Sequence, residues 1–92
     1  MPPTHRNPAL AAAFGQVVRE LRIEKGVAQE ALALIAETDR SYFGRIERGE
    51  KQPSLDIVFR IATALGVRAE ELVARTSRVA DQTKTRRRNK AG

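Results

Sequence analysis

Residues 40–49 read RSYFGRIERG, and within them Tyr42, Phe43 and Ile46 recur at three- and four-residue spacing, the mark of a helix with one apolar face. Arg40, Ser41 and Arg45 fall on the outward positions of that helix, and all three are hydrogen-bonding types. The arginine fork matches the O6 and N7 acceptors of guanine in the major groove of DNA. The chemistry this pattern suits is therefore the reading of base edges, with no bond made or broken. A merely solvated helix face is the alternative use of the same residues.

A base-reading helix needs a scaffold, and the flanking sequence supplies one. Leu32 and Ile35 give the preceding segment an apolar face, so two short helices pack together. Between them Glu37-Thr38-Asp39 break the pattern, and the Asp39 carboxylate stands where it caps the free amides of a helix starting at about Arg40. Gly49 then ends that helix. The whole chain reads as five helices. Helix one runs from the Asn7-Pro8 cap to near Lys25, helix two from about Ala28 to Ala36, and helix three from Arg40 to Arg48. Helix four follows Ser54 and stops at Gly66, and helix five begins at about Ala69. Phe14, Leu21, Leu32, Ile46, Val58, Ile61 and Leu65 sit at helix-packing spacing and form the expected core. The fold class is all-α, a compact five-helix domain at 8–75, after a flexible N-terminus at 1–7 and before a basic, disordered tail at 76–92.

Composition narrows the function classes. The chain has 92 residues and no Cys, which fits one small domain and excludes a disulfide framework or a Cys-based zinc site. A lone His5 makes no metal cluster, and neither a nucleophile–base constellation nor a glycine-rich phosphate loop is present, so we expect no cofactor and no enzyme. With 4% aromatic residues it lacks the stacking platforms of single-strand RNA binders. The absence of a long apolar run or a signal peptide pattern gives the expectation of a cytoplasmic protein without a membrane partner. The net charge of +6 lies entirely in the tail. Residues 75–92 hold seven basic groups against Asp81, whereas residues 1–74 hold ten of each sign. A high isoelectric point alone therefore says little about the folded part.

From about Phe14 to Val73 the chain resembles the lambda-repressor-like, XRE-type helix-turn-helix family of DNA-binding regulators. The carriers are Leu21-Arg22 and Lys25-Gly26, then Gln29-Glu30-Ala31-Leu32-Ala33, Arg40-Ser41-Tyr42, and Ile46-Glu47-Arg48-Gly49. Pro53-Ser54-Leu55 and the run from Ile61 to Val67 complete the pattern. The phrase RSYFGRIERG is similar to that of the small, homodimeric controller proteins of restriction-modification systems. The resemblance implies base contacts from Arg40, Ser41 and Arg45 in a helix-turn-helix made of helices two and three. It implies that Gln29, Tyr42, Arg48 and Lys51 contact DNA phosphates, although Tyr42 could equally be a core residue and the basic pair merely solvated. The family pairs the glutamate at Glu47 with an arginine that maps to Arg22, which implies a structural ion pair rather than DNA contacts.

Two departures stand out. Glu37 occupies a turn position where the family usually has glycine, and Ala28 and Arg68 replace the common Ser or Thr caps. The expected partner is double-stranded DNA, bound as a homodimer on a roughly palindromic operator with half-sites about one helical turn apart. Leu72 and Val73, with Ile57 or Phe59, are the expected dimer surface, or else complete the monomer's core. The tail has three readings: phosphate tracking, which ranks first, binding of an acidic surface, or a solubilising end. A different function class remains: an antitoxin or adaptor that chiefly grips a toxin or other protein partner.

Overall fold

Asn7 opens the first helix, its side-chain oxygen accepting from the Leu10 amide at 3.0 Å, and Pro8 fills the first helical position, where a missing N–H is no loss. A computed structural model describes residues 7–91, with side chains described as far as Thr83. Its helices are α1 (Pro8–Glu24), α2 (Gln29–Ile35), α3 (Arg40–Glu47), α4 (Leu55–Leu65) and α5 (Ala69–Ala91), with no strand among the described residues. Asp39 caps α3 through the Tyr42 amide at 3.1 Å, and Ser54 caps α4 through the Ile57 amide at 3.2 Å. Ala28 offers α2 no side-chain cap.

The first four helices end in the same way. In each, the last turn closes with a six-to-one and a five-to-two backbone hydrogen bond around one left-handed residue. That residue is Gly26, Gly49 or Gly66 in three cases and Glu37, with φ 57°, in the fourth. The family turn conformation is thus kept without the glycine. Arg60 Nη1 donates to the Glu37 carbonyl at 3.1 Å, and the Thr38 amide closes on the Ala33 carbonyl at 2.9 Å, so both sides of the turn are held.

The core joins Phe14, Val17, Val18 and Leu21 of α1 to Leu32, Ala33 and Ala36, to Phe43 and Ile46 of α3, to Val58, Ile61, Ala62 and Leu65 of α4, and to Leu72 of α5. Gly15 allows α1 to lie directly on the end of α3. A Cβ there would stand 2.5 Å from the carbonyl oxygens of both Ile46 and Glu47.

Four expectations need correction. Ile35 is 60% exposed, because Leu32, Ala33 and Ala36 define the inward arc and leave it about 60° outside the edge of that arc. Leu72 is fully buried in the protein's own core, which removes it from any dimer surface. Ile57 is half-buried against that core, and the exposed Phe59 and Val73 lie on separate faces, so the four residues form no common patch. Phe59 lines a cleft with Ile35 and Thr63, whereas Val73 lines a groove with Leu10, Pro53 and Ala80. Finally, regular structure does not stop at Thr76, since α5 runs on to Ala91. Thr76 is buried with its hydroxyl donating to the Leu72 carbonyl at 2.9 Å, and Val79 packs on the core. Beyond it, a run rich in Arg and Lys, without Gly or Pro before Gly92, suits continued helix.

Candidate nucleic-acid interface

The centre of the site is the Glu47 carboxylate, at the end of α3 and only 3% exposed. An ionised carboxylate buried this deeply requires partners. Arg22 of α1 supplies a two-pronged contact, Nε to Oε2 at 2.7 Å and Nη2 to Oε1 at 3.2 Å, and its remaining Nη1 donates to the Val27 carbonyl at 2.9 Å. Gln29, the first residue of α2, donates Nε2 to Glu47 Oε1 at 3.0 Å. One carboxylate therefore ties together α1, the loop after it, α2 and α3. Its charge is answered inside the domain and does not face whatever α3 meets.

Outside that knot α3 presents its polar side. Arg40, Ser41 and Arg45 are exposed, with Arg40 3.6 Å from Glu30 and Arg45 3.7 Å from Glu50. Arg48 is exposed at the exit of the helix and binds Glu50 through Nε at 2.8 Å and Nη2 at 3.4 Å. That hydrogen bond lifts the Arg48 guanidinium above its ordinary pKa and holds the Glu50 carboxyl below the usual range, so both are charged at neutral pH. Tyr42 is half-buried, with its ring packed against the core, and Lys51 is half-buried in the loop that follows. Gly44 is buried between Gln29 and Arg48, and their side-chain tips lie within 3.5 Å of where a Cβ would stand.

Gln29 and Arg48 thereby share a shallow cleft with Arg19, Arg22 and Glu47. Arg19 did not emerge from the sequence, yet it lies three residues before Arg22, a spacing that places both on one helical face. The Gln29–Glu47 hydrogen bond was also missed. No local pattern encodes it, because the residues are 18 apart in sequence.

The family described as Helix-turn-helix matches residues 18–72, more than half of the chain. The chain belongs to the XRE-type helix-turn-helix family. It is similar to the control protein C.BamHI of Bacillus amyloliquefaciens, at 43% identity over 61 residues covering 65% of this chain and 75% of that one. Among solved structures it is similar to the restriction-modification controller protein C.AhdI of Aeromonas hydrophila, with 47% identity and a TM-score of 0.66 over 67% of this chain and 94% of that one. It is likewise similar to the controller protein C.Esp1396I, solved as a tetramer in complex with its natural 35-base-pair operator, with 27% identity and a TM-score of 0.71 over 77% and 93% of the two chains. Within this family α2 and α3 are the helix-turn-helix pair, and the Arg22–Glu47–Gln29 knot fixes the angle between them. Among the described residues, no cluster of His, Cys, Asp or Glu could hold a metal, and no helix is long and apolar enough to cross a membrane.

Proposed function

We propose that this protein is a sequence-specific regulator of transcription that binds double-stranded DNA as a homodimer, each protomer laying α3 in the major groove of one half of a roughly palindromic operator. The observation that carries the reading is the division of charge at α3. The acid of the helix end is buried and answered by Arg22 and Gln29, while Arg40, Ser41 and Arg45 stand free of the core on the outer face. Those three are assigned to base edges. Gln29, Arg48 and Lys51 are assigned to phosphates, with the Tyr42 hydroxyl and the neighbouring Arg19. Gln29 fits this role because an amide nitrogen has two hydrogens, of which the bond to Glu47 uses one. The operator-bound C.Esp1396I tetramer supports the DNA reading and the use of more than one copy. Size supports the second point too, since one such module makes few base contacts. A regulator of this kind works in the cytoplasm, where its DNA is.

The test is selection of bound sequences from a random duplex pool at about physiological salt, with wild type and Arg45→Ala in parallel. The proposal expects a two-fold-symmetric motif for wild type that loses definition at one base per half-site in the variant. Binding without any enriched sequence would contradict it.

A further inference from the structure

Glu50 is an acid placed among the cations of the interface, and the fold determines where it stands. The chain leaves α3 through Gly49, with φ 76°, and the Glu50 amide then closes on the Arg45 carbonyl at 2.9 Å. This sets the Glu50 side chain beside the last turn of α3. Its carboxylate takes the Arg48 fork at 2.8 and 3.4 Å and lies 3.7 Å from Arg45 Nε. Glu47, three residues earlier, is buried and holds the helices together; Glu50 is exposed, where an ion pair contributes little to stability. A carboxylate so close to phosphates repels them, so its position calls for a role in binding rather than in folding.

The geometry suggests that role. Glu50 faces the Nε side of Arg45 and leaves the far Nη end of the guanidinium for the paired acceptors of a guanine edge. Reading a base can therefore proceed with the Arg45–Glu50 pair kept. Gripping a phosphate with Arg45 cannot, because Arg45 must then leave the carboxylate or carry it against the DNA backbone. We propose that Glu50 is a specificity-determining residue, which, held in place by Nε and Nη2 of Arg48, withholds Arg45 from indiscriminate phosphate binding and orients it toward a base, while Arg48 keeps Nη1 for its own phosphate. This rests on the DNA-binding reading above.

The experiment measures affinity of wild type and Glu50→Gln for the selected operator duplex and for a random duplex across a salt series, with thermal unfolding as a control. One added phosphate contact per protomer, two per dimer, steepens the log–log salt slope on random DNA by about 1.8, which at about 0.15 M salt corresponds to about thirtyfold tighter binding. The expected result is that gain on random DNA, no gain on the operator and an unchanged melting temperature, so the ratio of specific to non-specific affinity drops about thirtyfold. An equal gain on both duplexes would reduce Glu50 to a bulk charge and overturn the proposal. Unchanged binding to random DNA would overturn it as well, while leaving a wild-type operator preference, and hence the DNA reading, intact. A wild type that prefers no duplex would remove the DNA reading and the role of Glu50 together.

Discussion

Two acids at the end of α3, Glu47 and Glu50, meet arginines, and their surroundings give them opposite tasks. Glu47 is removed from water and would be an uncompensated buried charge without Arg22, whose own side chain is 14% exposed. Breaking such a pair costs about 3–5 kcal/mol when fully buried, and the partial exposure of Arg22 places this one at the lower end. Arg22→Ala should therefore lower the melting temperature by roughly 12–24 °C at the slope of about 4–8 °C per kcal/mol for a domain of this size. Arg48→Ala removes only an exposed contact to Glu50 and should melt close to wild type while weakening DNA binding. Equal melting temperatures for the two variants would refute the assignment of Arg22 to structure and Arg48 to the interface. The sequence disclosed the Arg22–Glu47 partnership only through family resemblance. The third member, Gln29, came out of it as a phosphate contact alone, because its bond to Glu47 exists only once α2 has docked on α3.

At the level of the elements, helix boundaries were legible because the chain marks them chemically. Asn7, Asp39 and Ser54 cap, and Gly26, Gly49 and Gly66 turn left-handed just past their helices. Where the marks are absent the reading weakened. A two-turn helix such as α2 has too few positions to fix its inward arc, and Ile35 was placed on the wrong side of it. The need for Gly15 is a property of two helices in contact, and a glycine inside an apolar stripe signals it only as a propensity loss of about 1 kcal/mol without an evident reason. Glu37 gives the turn between α2 and α3 a testable defect. A non-glycine residue in the left-handed region costs about 1–2 kcal/mol, part of which glycine returns through the entropy of the unfolded chain. Arg60 holds the backbone carbonyl of residue 37, a contact that survives substitution. Glu37→Gly should thus stabilise the domain by about 1 kcal/mol, read as a rise in denaturation midpoint at constant slope. A loss of stability would show that the Glu37 side chain, not the backbone, governs this turn.

For the whole molecule, the separation of charge is the dominant feature, with a neutral folded part and a cationic end to α5. Residues 84–92 hold Lys84, Arg86, Arg87, Arg88 and Lys90 and no acid. Replacing those five with Gln in the full chain should flatten the salt dependence of DNA binding by a slope of about 4.5 per protomer, about 9 for the dimer, if they track phosphates, without altering which sequence is chosen. An unchanged slope would leave them a solubilising role. Their helical backbone was not legible in the sequence, because the apolar period fades after Val79 and only propensity remains to carry the helix. The choice of sequence belongs to α3. The decisive measurement is methylation interference on the selected operator, in which guanine N7 is methylated before binding. With wild type, methylation of one guanine per half-site should abolish binding, because the Arg45 fork then loses its N7 acceptor; Arg45→Ala should bind that site more weakly and show no sensitivity at the same guanine. Equal sensitivity of the two proteins, or none for either, would contradict the claim that α3 reads bases through Arg45.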